Sequence, residues 1–188
     1  MRIISVNSQF DPEMLPGKLH IYDEAQLGQL QPLNRFKSKY SKYVNPTWQY
    51  DVVKAATRLF AFIDAARDYK GLSVFIDPTL KIKARLTEDL FRKELGRNYI
   101  GLFKRDGLPS KPDIFMVDGE YPEHTEFMEF VASILEDDMF TGLSYWTDGA
   151  ILDEAIKRYT FPVKNLSGVF GKEKDPIKMT AFAQYVDL

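Results

Sequence analysis

Asp77 stands where a carboxylate can hold a divalent ion. It closes the apolar run Leu72 to Ile76, and Pro78-Thr79 follow, so a strand end would fix the acid while the loop beyond leaves room for a phosphate. A strand-terminating Asp-Pro turn accounts for the same residues. A second group, Ser144-Tyr145-Trp146-Thr147-Asp148, sets an aromatic pair ahead of a helix start. Asp148 can complement the helix dipole there. Alternatively, Trp146, one of two tryptophans, can stack on a sugar ring whose hydroxyls hydrogen-bond to the carboxylate. Glu120 and His124 are spaced to meet across the first turn of a helix, with no third metal ligand beside them. Lys164, Lys172, Lys174 and Lys178, around Gly168 and Gly171, either close over a diphosphate or lie as solvated lysines.

The elements that must position these groups are legible as alternating helices and strands. RIISV (Arg2 to Val6) and KLHIY (Lys18 to Tyr22) read as strands joined by the turn-forming DPEMLPG. Leu33, Phe36, Tyr40 and Tyr43 form a helical stripe that ends at Asn45-Pro46, with Arg35, Lys37, Lys39 and Lys42 on the other face. That text suits single-stranded nucleic acid or, more simply, a core-facing aromatic stripe with a solvated basic side. Thr47 is placed to cap a long helix from Trp48 to Tyr69, free of Gly and Pro, with a broad apolar face from Val52 to Ala66. Gly71 stops it, and LSVFI (Leu72 to Ile76) reads as a strand buried on both faces, whose carboxyl end is where open α/β sheets place ligands. Further on, KIKARL reads as an exposed strand, Thr87 to Leu95 as a helix, and YIGLF and DIFMV as strands separated by a loop, KRDGLPSKP. Pro122 opens a helix to about Leu135, Asp148 to Tyr159 is another, and the closing stretch from Phe161 reads as ordered loop or tail. The fold class predicted is α/β, three layers, α/β/α, in a single domain over residues 1–188.

Composition narrows the chemistry. The 188 residues are 45% hydrophobic and 28% charged, which suits one domain with a full core and excludes a disordered chain. The absence of cysteine excludes thiolate catalysis, disulfides and Cys-based metal sites, and two histidines, His20 and His124, exclude an all-His site. Any metal would need carboxylates. MRIISVNSQF lacks the apolar core of a signal peptide, and no apolar run approaches the ~20 residues of a membrane span. A cytoplasmic, soluble protein is the expectation. The net charge of −2 hides polarisation along the chain: no lysine or arginine lies between Lys111 and Lys157, where twelve acids fall, so the other fifteen of the 27 acids face all 25 bases. Solvated helix faces account for such a block, as does a site with a basic wall toward a polyanion and an acidic wall toward a metal or a hydroxyl-rich ligand.

The order of five segments carries a resemblance. TWQYDVVKAATRLFAFIDAARDYKGLSVFIDP, YIGLFKRDG, DIFMVDGEYPEHTEFMEFV, LSYWTDGAILDEAI and the ending NLSGVF...MTAFAQYVDL together resemble bacterial and phage glycosyltransferase-like proteins of the GT-A, nucleotide-diphospho-sugar transferase type, from roughly Pro16 to the C-terminus. The resemblance implies a GT-A-like mixed sheet. It makes Asp51 and Arg58, on the long helix, residues that face the nucleotide, with Arg where Lys is usual. It also matches Asp77-Pro78-Thr79 to an Asp-x-Asp motif that holds Mn²⁺ or Mg²⁺ against the donor diphosphate, with Thr79 in place of the second acid. Trp146-Thr147-Asp148 similarly looks like a Trp-His-Asp motif without its histidine. Against the family the chain is short at both ends, where the nucleotide should be held, which predicts a truncated version of the fold.

These departures fall on one function. Replacing a charged oxygen by a hydroxyl weakens a two-carboxylate site severely. The resemblance therefore implies a transferase-like fold whose metal site, with Asp77 its remnant, is weakened or lost, or one in which Lys and Arg neutralise the leaving diphosphate instead. On the first reading the protein transfers a sugar from a nucleotide-sugar donor to a carbohydrate or glycoconjugate acceptor. Arg58 and the tail lysines hold the diphosphate, Asp77 the ribose, sugar or a weakly bound metal, Trp146 stacks on a sugar, and Asp148 contacts the acceptor or acts as base. The alternative is a non-catalytic carbohydrate-binding or protein-interaction module on the same fold. Nucleic acid is not an expected partner.

Overall fold

A computed structural model describes residues 1–43, 48–167 and 181–187 of the chain. Strands β1 (Arg2–Val6), β2 (Lys18–Tyr22) and β3 (Leu72–Ile76) lie where the sequence predicts them, and β3 is buried along its whole length. With β5 (Ile100–Arg105), β6 (Leu108–Asp118) and β7 (Val163–Asn165) they form a six-stranded sheet in the order β2-β1-β3-β6-β5-β7. It is mixed: β1 runs parallel to β2 and β3, β6 antiparallel to β3 and β5, and β7 parallel to β5. A second, two-stranded sheet pairs β4 (Lys81–Ile82) with β8 (Val186–Asp187).

Alternation along β3 divides the core. Phe75 points to one face and stacks on Phe115 of β6 at 5.1 Å, while Val74 and Ile76 point to the other. The first face is covered by α2 (Gln31–Tyr40), α3 (Val52–Ala66), α5 (His124–Glu136) and α6 (Asp148–Lys157). The second is covered by α4 (Glu88–Leu95), through Phe91 and Leu95, together with Phe182 and Val186. These are the three layers of an α/β fold. A short helix, α1 (Glu24–Leu27), opens with a capping box between Asp23 and Gln26, an Asp-x-x-Gln signature.

Several boundaries differ from expectation. The long helix begins at Val52 rather than Trp48 and ends at Ala66, and Asp51 caps it by accepting from the Lys54 N–H at 3.1 Å. Thr47 lies outside the described residues. KIKARL contributes only the two residues of β4, and KRDGLPSKP is mostly strand, with the turn confined to Asp106 and Gly107, the latter at φ +67°. Pro109 and Pro112 are tolerated because the β5–β6 pairing shifts register between Gly101 and Phe103 and again toward Arg105. The predicted tail supplies β7, and Lys172, Lys174 and Lys178 lie outside the described residues. No helix among the described residues is long and apolar enough to cross a membrane.

Folding cancels much of the charge polarisation. Arg35 and Lys39 of α2 pair with Glu136 and Asp138 at the end of α5, and Lys111 pairs with Asp113 at 2.9 Å. Leu33, Phe36 and Tyr40 are buried, so the aromatic stripe of α2 is core. His124 is also a core residue, whereas Glu120 is exposed and precedes the start of α5. The His124 Nδ1 lies 3.0 Å from the Tyr99 hydroxyl and its Nε2 2.9 Å from the Ala66 carbonyl, so Nε2 donates and Nδ1 accepts. Burial lowers the His124 pKa from its ordinary 6.5. On acidification the unfolded chain then takes up the proton first, so this contribution to stability is complete above about pH 6.5 and is lost as the pH falls toward the native value. His20 is shifted the same way, chiefly by burial. The expected outcome is a falling Tm between pH 7 and 5.5, with a smaller fall in His124→Gln, as measured by thermal denaturation; an equal fall in both would contradict it.

Candidate functional site

The order in which strands are added to the sheet reverses at β1, between the parallel strands β1 and β3. From β1 the chain passes to β2 on one side, then returns through α3 to β3 on the other, and such a switch opens a crevice at the carboxyl ends of the two strands. A cavity of about 420 Å³ lies there. Val6 and Asn7 at the end of β1 and Pro78 and Thr79 beyond β3 form its floor. Asn7 has φ +48°, turning the chain away after β1, and its side-chain amide donates to Glu24 at 2.8 Å. The wall is α3. Asp51, Lys54 and Arg58 recur at three and four residues, so the helix presents them as one stripe, and Lys37 of α2 completes the rim. A second, smaller cavity of about 110 Å³ adjoins it, lined by Asp51, Lys54, Arg58 and Asp148 among others.

Three of the charged side chains singled out in the sequence meet beside these cavities. The Arg58 guanidinium bonds Asp77 through Nη2 and Asp148 through Nη1, the latter at 3.0 Å, and all three residues are less than a tenth exposed. Burial opposes the Arg58 charge, and Asp148 and Asp77 outweigh it, so the pKa stands above the ordinary arginine value. Asp77 is held on both oxygens: Oδ1 accepts from the Thr79 N–H at 2.8 Å and the Thr79 hydroxyl at 2.6 Å, while Oδ2 faces Arg58. Thr79 therefore acts on the cleft by holding Asp77. A third acid, Asp113 of β6, lies close enough for Asp77 and Arg58 to influence it, and burial raises its pKa against the pull of Lys111.

Asp148 reaches Arg58 because α6 starts tight against the sheet. Thr147 caps the helix, accepting from the Ala150 N–H at 3.3 Å, and Asp148 is its first residue. Gly149 follows where a Cβ would stand 1.7 Å from the Ser110 carbonyl oxygen of β6. In an ordinary helix alanine outranks glycine by about 1 kcal/mol. Here the sign inverts: Gly149→Ala is expected to lower stability by about 1–3 kcal/mol and to pull Asp148 off Arg58. Chemical denaturation checks this, and a more stable variant would contradict the close approach.

Of the residues expected to act together, Asp51, Arg58, Asp77, Thr79 and Asp148 are brought to one place. Trp146 is not part of these cavity walls. It is half-buried, its ring meeting Tyr50 at 5.6 Å and Phe140 at 5.3 Å edge to face, and its backbone N–H donates to the Gln49 carbonyl at 2.7 Å, pinning the turn before α3. Lys164 lies on β7, at the opposite edge of the sheet from β2 and three places from β3. The sequence reading did not assign Lys37 and Lys54 to the site. Among the described residues neither has an acid within ion-pair distance, whereas Arg35 and Lys39, on either side of Lys37, are both paired. The Asp51, Lys54, Arg58 spacing was the signal for one of them.

The divalent ion implied by the resemblance fits these residues poorly. Mn²⁺ or Mg²⁺ needs about six oxygen ligands, and the space between Asp77 and Asp148 already holds the Arg58 cation, while Thr79 fills the other oxygen of Asp77. Among the described residues, no group of three or more His, Asp or Glu is disposed to hold a metal.

No family model matches the chain, and no curated protein matches it. Among solved structures, mouse xyloside xylosyltransferase 1 in its apo form is similar over 80% of this chain and 79% of that chain, with 10% identity and a TM-score of 0.42.

Proposed function

We propose that the protein is a glycosyltransferase-like protein of the GT-A type that takes a nucleotide-sugar donor in the crevice at the ends of β1 and β3. The observation that carries this reading is the meeting of Arg58, Asp77 and Asp148, 90 residues apart at the extremes, beside a crevice rimmed by Lys37 and Lys54, neither of which has an ion-pair partner among the described residues. The ordered resemblance of five segments supports it independently. Lys37 and Lys54 hold the diphosphate as point charges, with Asp51 beside them for the ribose or base. Arg58 is itself neutralised by Asp77 and Asp148, so the positive charge that a metal would otherwise bring to the departing nucleoside diphosphate comes from Lys37 and Lys54. Asp77 and Asp148 orient Arg58, and Asp148, at the helix N-terminus, faces the acceptor side. The acceptor is a carbohydrate or glycoconjugate hydroxyl. Incubation with a panel of nucleotide sugars and candidate acceptors, with release of nucleoside diphosphate as the readout, tests transfer; no release with any donor in the presence of acceptors counts against catalysis.

One observation favours the alternative, a carbohydrate-binding or protein-interaction module without catalysis. Arg58, Asp77 and Asp148 satisfy one another, so a purely structural triad explains their burial. On that reading Asp77→Ala disturbs folding but leaves ligand binding by the folded fraction unchanged.

A further inference from the structure

Arg105 ends β5 in the wall of another cavity, about 730 Å³, that none of Arg58, Asp77 and Asp148 lines. The acids lining it are already neutralised. Asp153 takes Lys104 and accepts from the N–H and hydroxyl of Ser110, each at 2.7 Å, and Glu154 takes Lys157 at 2.7 Å. Arg105 is treated differently: its Nε donates to the Pro109 carbonyl at 2.7 Å, which fixes the plane of the guanidinium. Among the described residues no carboxylate lies within ion-pair distance of it and no aromatic ring stacks on it, although it is half-buried. Burial lowers its pKa despite the more distant Asp113 and Asp153. Among the described residues its Nη groups have no hydrogen-bond acceptor, and a guanidinium withdrawn from water in that way bears a desolvation cost, while a planar oxyanion matches its fork.

We propose that this cleft binds a ligand bearing a carboxylate or phosphate, taken by the Nη groups of Arg105, with an apolar or ring-shaped body against Leu108, Leu143 and Tyr145. Leu108 is 44% exposed on the cleft's hairpin wall, an apolar surface available to such a body. The proposal does not depend on the donor crevice or on transfer. Its test is titration of the ¹⁵N-labelled protein with benzoate and with phenyl phosphate, following the Arg105 Nε–H signal and the Leu108 and Tyr145 amides by NMR. The expected result is saturable movement of all three with at least one probe, the tighter of the two identifying the anion. In Arg105→Gln binding weakens by at least about tenfold, the scale of one charge-assisted contact. Failure of the Arg105 signal to move with either probe, or shifts scattered over surface lysines, would overturn it in the wild-type protein whatever the variant does.

Discussion

Arg58→Met lowers the stability of the protein by about 3–5 kcal/mol, the scale for removing one partner from a buried ion pair. For a chain of this size that is a fall in Tm on the order of 10 °C. The size follows from what remains. Asp77 and Asp148 are 4% and 6% exposed, and without Arg58 two desolvated carboxylates face each other with only the Thr79 and Gly149 donors left. Restoring neutrality should recover most of the loss, so the triple variant Arg58→Met, Asp77→Asn, Asp148→Asn is expected to be more stable than Arg58→Met alone. Equilibrium unfolding of the three proteins measures this. An Arg58→Met variant within 1 kcal/mol of wild type would mean that the triad is not the closed buried unit described here.

The second large effect falls on binding rather than stability. Lys54 is exposed and Lys37 half-buried, and among the described residues neither contributes an ion pair to the fold, so Lys54→Glu and Lys37→Glu should fold normally. Each reversal replaces an attraction toward a diphosphate by a repulsion. Affinity for a nucleotide sugar is expected to drop roughly 100-fold per site. Lys93→Glu, on the exposed face of α4 in the other layer, serves as the control and should leave affinity unchanged. Equal affinities across all three would place the donor outside the crevice between β1 and β3.

How much of this was legible in the chain differs by element. The first three strands were readable to the residue because each is a short apolar run bounded by turn-forming residues, and β3 advertised burial on both faces. The β5–β6 hairpin was not, since Pro109, Pro112 and the interspersed lysines give strand residues a loop-like composition, and the register shifts that accommodate them are a property of the pairing. β7 spans three residues and carries no periodicity. At the site, the acid at the end of β3 and the one at the start of α6 could be singled out from local context alone. Their common partner could not, because Arg58 sits among Ala55, Ala56, Leu59 and Phe60 on a helix whose apolar text says only that it crosses the core. The resemblance put Arg58 at the site but facing a nucleotide, whereas its side chain is turned toward Asp77 and Asp148. Gly149 was equally silent, since its need to be glycine arises from Ser110, 39 positions away in the chain.

The most direct measurement of the central claim, that the crevice takes a sugar nucleotide through protein cations in place of a metal, is calorimetric titration of UDP- and GDP-sugars into the wild-type protein, once in EDTA and once in Mn²⁺. Saturable binding of at least one donor, with the same affinity in both buffers, is the predicted result. No binding of any donor, or binding only when Mn²⁺ is present, would contradict it.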